Sequence, residues 1–411
     1  MHSISLQKKL NDKETLVALV FFSLVFFFNP LVGILTSTLF ILKHKGQSEK
    51  MQYGLYAFIA IYFGLINTTK VPESDLLVYK GYFDQASLLS LEEFMALFNQ
   101  ELFFYFFTFM LNKIFFGNFK LYLIFTTFIS YFLVFISIHK FWKIENKSII
   151  LFSVFIFACY SSFFFATGHL IRQILAESIF LYFFIERIVN NKNRWFLIPL
   201  AAFIHSSSLI LFLICFIPKL KEKISLKKIT VLIIICVCFF VFGSIIISIL
   251  DSYTRGINWL NYPFKMYYSM GLMEDSWYDG KGVDGIRLNY LIFYLFPILI
   301  AYSVKDKNSL IFSFLNFCIL YIGILEVFVA SGFTFMQLRM AYYLPIFIPF
   351  VWAVFFLNKK IFYTIELRRI GMVILLIYFI FNFLNSFSSK SMIFATNGEL
   401  VFNSVFSYFL N

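Results

Sequence analysis

Two polar clusters interrupt the apolar runs between residues 161 and 219 and are the first candidates for chemistry. Arg172-Gln173 stands at the mouth of one apolar run, and His205 opens the cluster His205-Ser206-Ser207-Ser208 in the middle of the next. Ionisable groups at membrane depth are energetically costly, so their presence favours a functional site. A guanidinium binds phosphate or carboxylate through parallel hydrogen bonds, and a neutral imidazole accepts a proton from a hydroxyl. The clusters therefore predict anion binding beside a possible base.

Three arginines fall where the distribution of basic residues in membrane proteins does not account for them. Arg172, Arg287 and Arg339 lie at predicted helix mouths on the outer side, which the positive-inside rule disfavours. We expect them to form an anion site at the outer membrane boundary. The alternative for each arginine is a side chain that extends to lipid head groups.

Candidate acid–base groups are two histidines and two carboxylates. His205 and His169 are both eligible bases, although a buried histidine that joins two helices by hydrogen bonds is an equally good interpretation of His205. Asp75 and Glu101 are the carboxylate candidates, and structural pairing with an arginine is the alternative for each. No metal-ligand spacing, nucleotide-binding loop or Ser-His-Asp order is present.

The composition excludes a soluble domain. The chain is 61% hydrophobic and 14% charged, and its mean hydropathy is +0.83. Repeated apolar runs of about 17–25 residues, without the alternation of membrane strands, predict an all-α polytopic membrane protein with roughly 11–13 transmembrane segments. We expect one integral-membrane domain over residues 1–411. The net charge of +12 comes mainly from lysines between apolar runs, so it indicates membrane orientation rather than nucleic-acid binding.

The charge pattern predicts two larger outer loops and some broken helices. The outer loops span about 67–100 and 251–287, and the first contains a short amphipathic stretch. Asn29-Pro30 divides the run over 15–42, which is either one long kinked helix or two short passes. Basic residues flank the run over 195–217 at both ends, and this pattern favours a broken or re-entrant segment interrupted at His205.

An ordered set of motifs resembles the EpsG-like branch of the Wzy-type polymerases of O-antigen and exopolysaccharide. One departure is the first-loop element, Thr68–Asp75, where the family usually has a glycine-containing pattern. The matching positions are Pro72-Glu73-Ser74-Asp75 with Tyr79, Glu101 with Tyr105, Arg172-Gln173 with Ala176, Ala202–Ser207, and Arg339 with Ala341 and Tyr343.

The resemblance implies a GT-C-like, multi-pass glycosyltransferase of the bacterial cytoplasmic (inner) membrane whose active site faces the periplasm or outside. Such an enzyme transfers a growing glycan from undecaprenyl diphosphate to a sugar hydroxyl of a lipid-linked repeat unit, with no cofactor and no metal. Its partners are undecaprenyl-diphosphate-linked oligosaccharides and membrane lipids, not nucleic acid, with a chain-length regulator as an open addition. The expected diphosphate ligands are Arg172, Gln173, Arg287, Arg339, Tyr79 and Tyr343. The candidates to orient or deprotonate the acceptor are His169, His205, Asp75 and Glu101.

Two other functions remain as alternatives. A membrane O-acyltransferase of surface sugars would need an essential histidine, and His205 would serve. Such enzymes draw acyl groups from the cytoplasm, whereas the unexplained arginines here are predicted outside. A flippase of lipid-linked oligosaccharides would need cationic residues through the depth of the membrane. The arginines are predicted near one face, which favours the polymerase.

Overall fold

The computed structural model describes residues 12–44, 48–98, 100–217, 220, 234, 288–302, 309–330, 334–358, 361–387 and 397–410. Every regular element in these segments is helical, and no strand occurs among them. The α-helices, in chain order, are α1 Asp12–Phe28, α2 Pro30–Lys43, α3 Glu49–Asn67, α4 Ser74–Leu88, α5 Leu91–Ala96, α6 Leu102–Ile114, α7 Phe119–Glu145, α8 Ile150–Ala158, α9 Ser161–His169, α10 Ile171–Asn190, α11 Leu197–Ile204, α12 Leu209–Cys215, α13 Phe296–Tyr302, α14 Ser309–Ala330, α15 Thr334–Ala341, α16 Ile348–Phe356, α17 Ile365–Phe387, α18 Asn397–Phe402 and α19 Val405–Leu410.

The fold confirms an all-α polytopic membrane protein, but few helices are long enough to span a bilayer alone. In the described segments, 4 helices are long and apolar enough to cross a membrane, or up to 5 if a bent pair counts as one. The bent pair, Lys147–Ala158 and Ser161–His169, changes direction by 53°. Shorter apolar helices of 10–17 residues accompany them in the described segments, and the prediction included broken segments of this kind.

The two interrupted runs predicted from sequence are broken in the structure. The first forms α1 and α2, because Asn29 caps α2 through Val32 N–H at 3.0 Å and Pro30 begins the new helix. The two helices approach closely at Gly33, where an added Cβ would lie 2.6 Å from the Cα of Phe26. The run over 195–217 forms α11 and α12, which a 3-10 turn over Ser206–Ser208 connects.

Helix α10 is the buried centre of the fold, and it carries Arg172 and Gln173 in its first turn. It packs against α7, α9, α11 and α14, while α7 packs in turn against α3. Gly64 of α3 permits that second contact, since a Cβ there would lie 2.8 Å from the Cα of Ile124. Small residues allow such close helix approach in membrane proteins. The polar start of α10 is thereby held among packed helices.

Three loop predictions need correction or lie outside the described segments. The first predicted outer loop contains helices α4 and α5, and α5 falls in the amphipathic stretch expected there. Arg339, predicted at the mouth of a helix, lies in the last turn of helix α15. The second outer loop, 251–287, lies outside the described segments.

Candidate active site

Glu101 connects the two polar clusters that the sequence shows separately. Its Oε2 accepts a hydrogen bond from Arg172 Nη1. Its Oε1 accepts one from His205 Nδ1 at 2.6 Å and one from the Ser206 N–H at 3.4 Å. The Glu101 side chain is only 10% exposed. One carboxylate therefore holds a guanidinium and an imidazole next to each other.

The backbone of Glu101 is strained. It has φ 53° and ψ 37°, the left-handed region, immediately before α6, and its side chain does not cap that helix. A non-glycine residue held in this region costs on the order of 1–3 kcal/mol, and such residues cluster at functional sites. The unusual backbone lets the carboxylate contact Arg172 and His205 instead of the α6 N–H groups.

Glu101 is ionised at neutral pH. Burial opposes its charge, but the hydrogen bond and charge of His205 and the charge of Arg172 outweigh burial and hold the pKa of Glu101 below its usual value. In a neutral His205, the proton on Nδ1 is donated to Glu101, so Nε2 has the free lone pair. The pair is arranged to keep His205 in the tautomer that accepts a proton at Nε2.

His205 lies at the break between α11 and α12. Its extended backbone, φ −154° and ψ 110°, ends α11, and the serine turn follows. Ser207 Oγ and the Tyr343 hydroxyl are 2.7 Å apart, which connects this turn to the residues after α15. Tyr343 is fully buried. The serines thus position the break that presents His205.

Aromatic side chains hold Arg172 in place. Its Nε donates to the Tyr79 hydroxyl at 3.3 Å, and its Nη1 donates to the Tyr105 hydroxyl at 3.3 Å. The guanidinium lies over the Tyr79 ring at 5.6 Å and over the Phe104 ring at 5.9 Å. Stacking together with directional hydrogen bonds fixes an arginine in a way that a lysine cannot reproduce.

Gln173, Arg339 and Asp75 form the other side of the site. Gln173 Nε2 donates to the backbone carbonyl of Arg339 at 2.9 Å and so joins α10 to the last turn of α15. Arg339 Nη1 lies 3.8 Å from Asp75 Oδ2, and the two side chains are 41% and 44% exposed. An ion pair this long and this exposed contributes about 0–1 kcal/mol, so a competing anion displaces it at little cost.

These residues surround one cavity of about 230 Å³, named here the arginine cavity. Two guanidinium groups and one imidazole contribute to its wall, and their carboxylate partners balance much of the positive charge. Its lining residues are Asp75, Tyr79, Leu170, Arg172, Gln173, His205, Ser207, Met336, Arg339 and Met340. The arrangement is suited to bind an anion next to a base.

Six of the ten site residues predicted from sequence line this cavity: Asp75, Tyr79, Arg172, Gln173, His205 and Arg339. Glu101 and Tyr343 do not line it but are hydrogen-bonded to residues that do. The other two are His169 and Arg287. His169 is not among its lining residues; its Nε2 is hydrogen-bonded to the ammonium of Lys70. With Lys70 charged, Nε2 of His169 is an acceptor and is already occupied. Arg287 lies outside the described segments.

Sequence analysis missed two side chains that the structure places at or beside the site. Tyr105 was quoted only as a motif residue, although it lies one helical turn after Glu101 and therefore on the same face. Lys70 is buried, 5% exposed, and burial lowers its pKa to about 8 against the opposing charges of Glu73 and Asp75. Its position in an acidic loop, which the charge pattern places outside the membrane, carried no signal of burial.

The part of the chain that the structure describes contains no group of three or more His, Cys, Asp or Glu side chains suited to hold a metal ion. In sequence comparisons, the EpsG family model matches residues 53–397. The matched segment contains every lining residue of the arginine cavity. No curated protein and no solved structure matches the chain.

Proposed function

The chain belongs to the EpsG family, which points to a glycosyltransferase-like polysaccharide polymerase, and we propose that it transfers a growing glycan from undecaprenyl diphosphate to a sugar hydroxyl of a lipid-linked repeat unit. The observation that carries this proposal is the joint contact of Glu101 with Arg172 and His205 beside the arginine cavity. It brings an anion-binding group and a base within reach of one substrate. The enzyme is then a GT-C-like transferase of the bacterial cytoplasmic membrane, with its site facing outward.

The two arginines have different parts in holding the diphosphate. Arg172 is fixed by Glu101 and the aromatic side chains, and its side chain is 31% exposed. Arg339 lies 3.8 Å from Asp75 in a long, exposed contact that contributes little to its position. We assign Arg172 as the preorganised ligand and Arg339 as the ligand that leaves its carboxylate when the diphosphate enters. The diphosphate gains charge as the glycosidic bond breaks, and preorganised cations stabilise that charge.

His205 is the base in this proposal. The acceptor sugar O–H loses its proton to His205 Nε2 while its oxygen forms a bond to the anomeric carbon of the donor glycan. The bond between that carbon and the diphosphate oxygen breaks, and undecaprenyl diphosphate leaves with the electron pair. Glu101 stabilises the imidazolium that forms, as the carboxylate partner of a catalytic histidine does in other enzymes. The proton is then released from His205 to solvent or to the departing diphosphate, and no step requires a metal.

Three further side chains support this arrangement. Gln173 donates a hydrogen bond to the backbone carbonyl of Arg339 and so fixes that residue. Tyr343 fixes the serine turn through its hydrogen bond with Ser207. Tyr79 accepts a hydrogen bond from Arg172 and holds its guanidinium. His169 is not assigned as the base, because Lys70 occupies its Nε2.

The test is a glycan ladder from cells that lack the protein and express either wild type or Arg172→Ala, with membrane levels of each protein measured. We expect single repeat units in the absence of the protein, a full ladder with wild type, and single units again with Arg172→Ala. Arg194→Ala is the matched control, since its guanidinium lies 3.7 Å from Glu186 at the other end of α10. That variant should restore the ladder.

Each alternative function gives a different result in the same experiment. Loss of all surface repeats in cells lacking the protein would identify export as the missing step and support a flippase. A full-length ladder lacking only an acyl group would support an acyltransferase. A wild-type ladder from a stably expressed Arg172→Ala protein would remove Arg172 from the mechanism.

A further inference from the structure

Helix α15 separates the arginine cavity from a second cavity. Met336, Arg339 and Met340 line the arginine cavity, whereas Leu338 and Ala341 line the second one. Residues three and four apart share one face of a helix, so the two sets belong to opposite faces of α15. The two cavities are therefore neighbours on either side of a single helix.

The second cavity, named here the tyrosine cavity, has a volume of about 60 Å³. At about 10–15 Å³ of such volume per molecule, this is room for about four to six waters, comparable to the space of one sugar ring. Six of its side chains bear a hydroxyl or an amide, and none is a lysine or arginine. Its lining residues are Tyr160, Ser162, Asn289, Tyr290, Tyr294, Leu338, Ala341, Tyr342, Leu344 and Pro345.

Among the residues that the structure describes, three hydroxyl groups of this wall leave one proton without an acceptor. Tyr294 donates to the Tyr160 hydroxyl at 3.0 Å, and Tyr160 is hydrogen-bonded to Ser162. These three hydroxyls have three protons and share two hydrogen bonds. Whichever way the second bond runs, one proton remains for a further acceptor.

The same wall contains an acceptor without a donor. Asn289 Oδ1 is buried and has no hydrogen-bond partner in the described segments. By contrast, Tyr290 donates to Glu326 Oε1 at 2.6 Å and accepts from Gln337 Nε2 at 3.2 Å, so its hydroxyl is satisfied. A buried polar group left unmatched costs about 1–3 kcal/mol, which favours a ligand that supplies the missing partners.

We propose that the tyrosine cavity binds one hydroxyl-bearing monosaccharide unit of a lipid-linked substrate while the arginine cavity holds the diphosphate. A sugar hydroxyl both donates and accepts, and so matches the spare proton and Asn289 together. Tyrosine rings provide apolar faces for the C–H groups of the sugar. An isoprenoid chain has neither donor nor acceptor, and a diphosphate would need a cation that this wall lacks. This inference rests on the proposed function.

The experiment measures two affinities of the full-length protein in lipid nanodiscs. One probe is undecaprenyl diphosphate, and the other is the lipid-linked repeat unit extracted from cells that lack the protein. In Asn289→Ala and Ser162→Ala, we expect affinity for the repeat unit to fall about two- to tenfold, the equivalent of one hydrogen bond each. Affinity for undecaprenyl diphosphate should not change.

Ser137→Ala is the matched control, because the buried Ser137 hydroxyl donates at 2.7 Å to Leu133 O of its own helix. It should leave both affinities unchanged. Equal losses for both probes in the cavity variants would assign the cavity to the isoprenoid or diphosphate and overturn the sugar subsite. Unchanged affinities for both probes would show that the cavity holds only water. The glycan ladder tests the polymerase proposal separately. If the ladder depends on Arg172 as expected but the affinities follow either of these two patterns, the polymerase proposal stands and only the sugar subsite is refuted.

Discussion

Replacement of Glu101 by glutamine is expected to remove the base while keeping the guanidinium in place. The two carboxylate oxygens have different donors: Arg172 on Oε2, and His205 with the Ser206 N–H on Oε1. A guanidinium has no acceptor, so the amide oxygen of glutamine must stay on its side. The amide NH2 then faces His205 Nδ1, which can pair with it only as an acceptor. His205 is thereby forced into the tautomer with its proton on Nε2, where it cannot take a proton from the acceptor sugar.

The magnitude follows from the geometry of this contact. Replacing the carboxylate that fixes a catalytic histidine costs about 10⁴-fold in kcat in a serine protease. The His205 side chain is 21% exposed, so water compensates in part and we expect a loss of about 10²–10³-fold. The lost charge of Glu101 weakens its bond to Arg172 and should reduce the free energy of unfolding by about 1–2 kcal/mol.

The assay is kcat of the purified protein on extracted lipid-linked repeat units, together with binding of undecaprenyl diphosphate. Glu101→Gln should lose kcat and retain most of its diphosphate affinity. Glu101→Asp, which keeps the charge but shortens the side chain, should be less impaired in kcat than Glu101→Gln. The tautomer change alone predicts a loss of kcat of at least about 10²-fold. A folded Glu101→Gln protein that keeps kcat within about threefold of wild type would therefore refute the tautomer argument.

The remaining predictions concern the cations around the site. Arg172→Lys keeps the positive charge but loses the planar guanidinium, which can donate two parallel hydrogen bonds to one phosphate. Binding of undecaprenyl diphosphate should therefore weaken by about 10²-fold. An unchanged binding isotherm would contradict a bidentate contact between Arg172 and the diphosphate. Asp75→Asn removes a carboxylate charge that competes with the diphosphate at Arg339, so binding of the same probe should tighten by about two- to fivefold. A loss of kcat at saturating substrate would instead make Asp75 a participant in the reaction. Burial holds the pKa of Lys70 at about 8, below its ordinary 10.5, so the charged form destabilises the fold at neutral pH. The melting temperature of wild type relative to Lys70→Met should therefore rise as pH increases from about 8 towards 10.5, where the unfolded chain still binds the proton and the folded chain does not. A difference that stays flat over this interval would contradict the lowered pKa of Lys70.

Hydropathy and motif spacing were sufficient to predict the class of fold and to name most residues of the candidate site. Long apolar runs can be satisfied only by helices in a bilayer, so the all-α membrane architecture followed from composition. Helix breaks at Asn29-Pro30 and at the serine cluster after His205 followed from residues that disrupt or cap helices. The positions that resemble EpsG-like polymerases included Arg172, His205 and Arg339, which line one cavity, and Glu101, which is hydrogen-bonded to the first two.

Loops and partners were less predictable, because they depend on contacts between distant segments. The predicted outer loop over 67–100 is mostly helical, and Arg339, predicted at a helix mouth, lies in the last turn of helix α15. Polar residues in these stretches indicated exposure, whereas packing against neighbouring helices stabilises short helices that local sequence alone does not specify. For a related reason, hydropathy detects the length of an apolar run but does not locate a bend such as the one between α8 and α9.

The sequence by itself determined which chemical groups the protein offers: guanidinium groups that can bind an anion and histidines that can accept a proton. It also determined that these groups lie in a membrane protein, where burial of an ionisable side chain costs free energy. Only the tertiary structure distinguishes the two histidines by their hydrogen-bond partners. His205 and His169 are equivalent as residues, but Glu101 accepts from Nδ1 of one, and Lys70 occupies Nε2 of the other. The acid–base role of an imidazole depends on which nitrogen holds the proton. The residues packed against the imidazole decide that, and they come from helices far apart in the chain.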